Sequence, residues 1–265
     1  MKHSPHIPPY PSIPLKENDL PAPEFVGTEP PIYLIQNGPL IKGAVTRLAI
    51  LLPSRGQVFS RTIESILREV LSVRDMFTEA SIFFAHGITI PEAQQDVIRR
   101  SLEWGAHITW LVEEDNYMVP GVLKALLFER HHNPINPLVV SCDYYKRDGS
   151  GWIVPEWNFA VMKFHAFGCT LVDSEVWRRI GSPYCFLGKC LEFFNEKGEE
   201  CEPYQHPEKT HAYGGQDVEF SYQLHKLKIP SWHLSRDKWR CGHVSLISLG
   251  SQQSNVAGSS IVSMV

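Results

Sequence analysis

The chain predicts an α/β fold built on a mostly parallel, doubly wound sheet, on three observations. Apolar runs alternate with helical patterns between residues 46 and 142. The runs are continuous in apolar residues, as in strands covered on both faces. The connections between them are short, which suits β-α-β units.

Taken in order, residues 1–44 come first and hold ten of the 20 prolines. That density is incompatible with a regular helix or a central strand. It predicts an extended arm with one short apolar piece, Ile32-Tyr33-Leu34-Ile35. The arm is a candidate contact for the domain or for a second copy of the chain, and equally a mobile tail.

Arg47-Leu48-Ala49-Ile50-Leu51-Leu52-Pro53 reads as the first buried strand, with Ser54-Arg55-Gly56-Gln57 as its turn. From Val58 to Met76, Phe59, Ile63, Ile66, Leu67, Val70 and Leu71 share one helical face. Ala80–Ala85 is the second strand and ends at His86-Gly87; Pro91 opens a helix that Gly105 stops. Ala106–Val112 is the third strand. A helix with Pro120 in its first turn follows over 120–130, then a strand over 137–142.

Beyond residue 145 the texture changes. Phe159–Phe164 and Cys169–Val172 read as short strands, and residues 173–181 as a short capped helix with a glycine stop. Residues 182–213 read as a loop rich in aromatics and cysteine. Val218–Leu227 is a helix, Ile229–Leu234 an edge strand, and residues from 249 a frayed tail. The expected organisation is an arm (1–44), one domain (45–248, with a nucleotide-binding half to 145 and an acceptor half from 146) and a tail (249–265).

Composition bounds the function. A 265-residue chain with 43% hydrophobic and 20% charged residues is ordinary for a globular protein. The net charge of -4 gives no basic footprint, so nucleic acid is not an expected partner. No apolar run approaches the roughly 20 residues of a membrane helix, and the N-terminus has no apolar signal core. A cytoplasmic protein is the expectation, with six cysteines as free thiols.

The chemistry concentrates where the third strand ends. Glu113-Glu114-Asp115 places three acids at the carboxyl end of a buried strand, where open α/β sheets bind ligands. Such a set suits a hard divalent cation and the phosphates it bridges; it also fits a solvated turn near a helix start. Gly214-Gly215-Gln216-Asp217 opens a helix with a fixed carboxylate, either a general base or a simple cap. His243, in Cys241-Gly242-His243, is a candidate late metal ligand among 12 histidines. Cys185, Cys190, Cys201 and His206 form a loose zinc-like set whose spacing is not that of a finger or ribbon. The chain contains no G-x-G-x-x-G after its first strand, no G-x-x-x-x-G-K-[ST] and no G-x-S-x-G.

In this order the segments resemble a nucleotide-sugar-dependent glycosyltransferase of the GT-A (Rossmann-like) type. The resemblance spans most of residues 46–245. Ala49–Arg55 looks like the family's opening strand and nucleotide contact. Val112–Asp115 followed by Met118-Val119-Pro120 looks like its D-x-D segment. Phe167–Val172 and Val176–Pro183 are similar to its G-x-x-L and I-G-x-P stretch, and Gly214–Phe220 resembles its G-G-E-D-x-x-F segment. Cys241-Gly242-His243 looks like its late histidine.

The resemblance implies a UDP- or GDP-sugar donor, a carbohydrate or glycoconjugate acceptor, and Mn²⁺ or Mg²⁺. It implies donor contacts at Pro53, Ser54, Arg55, His86, Glu113 and Asp115, and metal ligands Asp115 and His243. Glu114 is expected to point away. Acceptor contacts fall on Tyr213, Gly214, Gly215 and Gln216, with Asp217 as the base of an inverting reaction. Two positions depart from the pattern: Glu113 stands for the first aspartate and Gln216 for the usual glutamate. A non-catalytic sugar-binding relative and a nucleotidyltransferase are the alternatives, the latter lacking its glycine-rich basic loop. Retaining chemistry also stays open.

Overall fold

The computed structural model describes residues 31–36, 46–54, 58–85, 90–143, 164–185, 191–194, 200–205, 216–234, 239 and 241–244. Its elements are β1 (Ile32–Ile35), β2 (Arg47–Pro53), α1 (Ser60–Ser72), β3 (Glu79–Ala85), α2 (Ile90–Glu103), β4 (Ile108–Val112) and β5 (Asn116–Tyr117). Then come α3 (Val122–His132), β6 (Val139–Ser141), β7 (Cys169–Asp173), α4 (Ser174–Ile180), β8 (Leu191–Phe194) and β9 (Glu200–Gln205). The last are α5 (Gln216–Lys226), β10 (Ser231–His233) and β11 (Gly242–His243).

Seven strands form one sheet in the order β1-β3-β2-β4-β7-β6-β10. β3 and β4 run parallel to β2 on either side of it. β7 is antiparallel to both β4 and β6, so β6 runs with β4, and β10 is parallel to β6. Only β1 and β7 are reversed, and the sheet is mostly parallel, as the continuous apolar runs predict. β1, from the proline-rich segment, pairs antiparallel with β3 and forms one edge. The remainder of the arm lies outside the described residues, as does the tail.

Side-chain alternation along each strand feeds two cores. Leu48, Ile50, Leu52, Trp110, Val112, Val140 and Leu171 pack with Ile66 and Val70 of α1 and Leu123 and Leu126 of α3. Ala49, Leu51, Leu111, Val139 and Val172 face the other way, toward Val97 and Ile98 of α2, Trp177 of α4 and Phe220 of α5. The result is a helix–sheet–helix sandwich. One of its buried hydroxyls, Thr109 Oγ1, accepts from the Trp177 indole at 2.8 Å and donates to the Val172 carbonyl at 3.0 Å, so both side chains are hydrogen-bonded.

Three expectations are corrected. Pro120 lies outside α3, because Gly121 adopts φ +83° and the helix begins only at Val122. Instead of a side-chain cap of its own, α3 has the Glu69 carboxylate of α1, which accepts from Gly121 N at 3.0 Å and Leu123 N at 3.2 Å. Within 182–213, read as loop, β8 and β9 pair antiparallel. The strand of 106–112 starts later, at Ile108, and a further short strand, β5, follows the acids. Phe159 and its neighbours to 163 lie outside the described residues.

Glu69 thus ties the last turns of α1 to the start of α3. Glu69→Ala orphans two amides and should lower unfolding stability by about 2–3 kcal/mol, read as a lower urea midpoint.

Candidate metal and donor site

The chain passes from β2 to β3 on one side and then to β4 on the other. The crevice at the carboxyl ends of β2 and β4 is therefore a topological switch point, where such sheets bind ligands. Leu51 is level with Leu111, so Pro53 and Ser54 stand beside the residues that follow Val112. Ser54 is fully buried, and its amide donates to the Ala85 carbonyl at 2.8 Å.

The acids form a tight turn. Asn116 N donates to the Glu113 carbonyl at 3.2 Å, and Phe59 N to the Glu114 carbonyl at 3.2 Å. β5 then pairs antiparallel with β11, with Tyr117 opposite Gly242 and Asn116 opposite His243. Val244 N closes the ribbon on the Asp115 carbonyl at 2.6 Å. This short ribbon carries a residue from late in the chain back to the acids that follow β4.

One ligand atom from each of Glu113, Asp115 and His243 lies within 4.8 Å of the others. His243 Nε2 is 3.6 Å from Asp115 Oδ1. Asp115 and His243 are 4% and 6% exposed, and Glu113 is half-buried. Donors on one ion bound at roughly 2.1 Å stand no more than about 4.2 Å apart, so small rotamer changes suffice to close the set. Two carboxylate oxygens and one imidazole suit Mn²⁺ or Mg²⁺ with its remaining positions open. Glu114 is outside this set but only 7% exposed, so it is not a solvated side chain.

The ribbon depends on Gly242. A Cβ there would collide with the Tyr117 ring, over which the Arg61 guanidinium sits 4.4 Å from the centroid. Gly242→Ala should displace β11 and with it His243. The expected result is at least a tenfold weaker Mn²⁺ dissociation constant by calorimetry, with helix content by circular dichroism unchanged.

Asn116 was not visible as a site residue in the sequence. Its side chain is fully buried and shares a ribbon face with His243, and among the described residues neither amide atom has a hydrogen-bond partner. Burying an unpaired amide costs about 1–3 kcal/mol, which marks the position as one to relate to a ligand. A second unforeseen cluster lies at the ends of β6 and β10. Ser141 Oγ is 2.7 Å from His165 Nδ1 and 2.8 Å from His233 Nδ1, and the two imidazoles stack at 4.6 Å. Asp143 Oδ1 lies 3.8 Å from His233.

Asp217 sits in the first turn of α5. Residues 227–230 return the chain from α5 to β10, so an antiparallel α5 points its first turn toward the carboxyl edge of the sheet. That turn is tied to the segment before β7: Ser221 Oγ donates to the Asp217 carbonyl at 2.7 Å and accepts from His165 N at 2.9 Å. Burial pushes the Asp217 carboxyl up to about 6, against the Val218 amide, which holds it down. Burial, and next the neighbouring Asp217 carboxylate, push the Cys185 thiol up.

The structure therefore brings Glu113, Asp115 and His243 together next to Pro53 and Ser54, and sets Asp217 in a separate cluster. Gln216 precedes Asp217 and is half-buried. Arg55, His86, Tyr213, Gly214 and Gly215 lie outside the described residues. Of the loose zinc-like set, Cys185 is packed in the core on the α2 side, and Cys190 and His206 are outside the described residues. Among the described residues, no helix is long and apolar enough to cross a membrane.

No family model matches this chain, and no curated protein matches it. Among solved structures it is similar to A197 from STIV, with 17% identity and a TM-score of 0.46, over 75% of this chain and 85% of that one. It is also similar to GalNAc-T7 solved with UDP, GalNAc and Mn²⁺, with 8% identity and a TM-score of 0.42. That match covers 76% of this chain and 44% of the other.

Proposed function

We propose that the protein is a metal-dependent glycosyltransferase that moves a sugar from a nucleoside-diphosphate donor to an acceptor hydroxyl with inversion. The observation that carries this reading is the convergence of Glu113, Asp115 and His243 on one point at the switch-point crevice. The ordered motifs in the sequence agree with it.

Asp115 and His243 hold the ion, and Glu113 completes the set or contacts the ribose. When bound, the ion neutralises charge on the departing diphosphate. Donor contact is assigned to Pro53 and Ser54 and, on the motif pattern of the sequence alone, to Arg55 and His86. Asn116 offers its amide to the same region. Acceptor contact is assigned to Gln216 and, on the motif pattern of the sequence alone, to Tyr213, Gly214 and Gly215. Asp217 takes the acceptor proton as the hydroxyl attacks the anomeric carbon. A carboxyl raised toward 6 is a stronger base than an ordinary aspartate and is still mostly ionised at neutral pH.

Thermal stabilisation across UDP, GDP, ADP and CDP, each with and without Mn²⁺, tests the site. One base should raise the melting temperature in a Mn²⁺-dependent manner, since ligand binding to the folded state adds stability by mass action. The matching nucleotide sugar should then release its free nucleoside diphosphate in the presence of acceptor. No Mn²⁺-dependent shift with any nucleotide would overturn the reading.

A further inference from the structure

The loop thiols attract attention in the sequence, but a different set is assembled by the fold. Cys142 follows β6, Cys169 opens β7 and Cys241 immediately precedes β11. All three are free and at most 1% exposed. One sulfur from each lies within 4.8 Å of the others. Cys142 Sγ and Cys241 Sγ are 3.8 Å apart, and the Met118 thioether is 3.7 Å from Cys241 Sγ.

We propose that Cys142, Cys169 and Cys241 form a second metal site, a buried trithiolate centre for one soft d¹⁰ ion, Zn²⁺ or Cu⁺, with Met118 as a fourth sulfur. The geometry matches. Zn–S bonds of about 2.3 Å in a tetrahedron place sulfurs about 3.8 Å apart, the Cys142–Cys241 separation. An all-sulfur donor set selects Zn²⁺ or Cu⁺ over the hard ions that suit Glu113 and Asp115. Backbone bonds already hold the frame: Cys142 N donates to the Cys169 carbonyl at 2.9 Å, and Cys241 N to the Asp143 carbonyl at 3.0 Å. Binding is not a redox step. Each coordinating thiol gives its proton to solvent and its sulfur lone pair to the ion.

The site has a mechanical consequence. The ion would link β6 and β7 to the segment that carries His243, two residues beyond Cys241. It would act as a staple on the late part of the chain rather than as a reacting centre. Three thiols are also well suited to simple core packing, so the decisive readout has to report sulfur–metal bonds.

The test uses the full chain, reduced and stripped of metal, with Mn²⁺ present to occupy the acidic site. Co²⁺ is the probe for the divalent ion, because cobalt thiolates give a near-ultraviolet sulfur-to-metal charge-transfer band. Cu⁺ is offered in parallel under competition with a coloured Cu⁺ chelator. One equivalent bound with the thiolate band, displaced by Zn²⁺, supports a zinc site. One equivalent of Cu⁺ retained without a cobalt band supports a copper site. In either case Cys142→Ser and Cys169→Ser should remove the signal, and Asp115→Ala should leave it intact. No stoichiometric retention of either ion by the wild-type chain overturns the proposal, and that measurement stands even if a cysteine variant fails to fold. A signal lost in Asp115→Ala but kept in both cysteine variants would overturn it as well.

Discussion

Asp217→Asn should lower turnover by roughly 10²–10⁴-fold and at the same time raise stability at neutral pH. The two effects share one cause. Burial holds the Asp217 carboxyl near 6 in the folded protein, whereas an unfolded aspartate titrates near about 3.9. Between those values the folded state binds more protons than the unfolded state, so stability falls as pH rises. The contribution is fully present below about pH 4 and is lost as pH passes through about 6. An asparagine has nothing to ionise. Its carbonyl oxygen can still accept from the Val218 amide, which stands 2.9 Å from Asp217 Oδ1. The variant should therefore be more stable than wild type at pH 7.5, on the order of 2 kcal/mol, and equal to it near pH 4. Urea unfolding at the two pH values measures this. Wild-type kcat/KM should climb through an apparent pKa near 6. If Asp217 only caps α5, the variant keeps its activity and the base assignment fails. Better stability with lost turnover is the pattern of a residue kept for chemistry at a cost to the fold.

The sequence carried the sheet well because both faces of its strands are covered. Leu48 to Leu52 alternate between two cores, and a strand of that kind shows up as an unbroken apolar run. α4 was equally legible, since its signals are local: Asp173 accepts from Glu175 N at 3.0 Å, and Gly181 stops the helix. The start of α3 misled for a physical reason. Pro120 suits a first helical turn, but the capping group is Glu69, 52 positions from Gly121, and no local pattern announces it. β5 and β11 have two residues each and pair across more than a hundred positions, so neither periodicity nor turn chemistry reveals them. The candidate site divides in the same way. Glu113 and Asp115 stand out as acids after a buried strand. His243 was one candidate ligand among 12 histidines, and only the ordered family pattern gave it weight. Asn116, the Ser141–His165–His233 cluster and the three thiols depend on chain crossings that no short window contains.

Asp115→Ala should abolish Mn²⁺-dependent binding of the nucleoside diphosphate, with Glu114→Ala as the control that gives the result meaning. Both side chains are buried, at 4% and 7% exposure, so either substitution can destabilise the protein. Stability alone cannot separate them. Only Asp115 belongs to the set with Glu113 and His243. Removing it takes away one of three protein donors and half of the negative charge that holds the ion. Mn²⁺ affinity should fall at least 100-fold by calorimetry, and the nucleotide should then bind alike with and without metal. Glu114→Ala should bind Mn²⁺ within a fewfold of wild type. Asp115→Asn sharpens the comparison, since it keeps the shape and one oxygen donor while removing the charge. Its Mn²⁺ affinity should lie between those of wild type and Asp115→Ala. Equal loss in Glu114→Ala and Asp115→Ala, with both variants folded by circular dichroism, would mean that the acidic turn acts as a diffuse field rather than through a defined ligand, and the donor site would have to be sought elsewhere on the carboxyl edge.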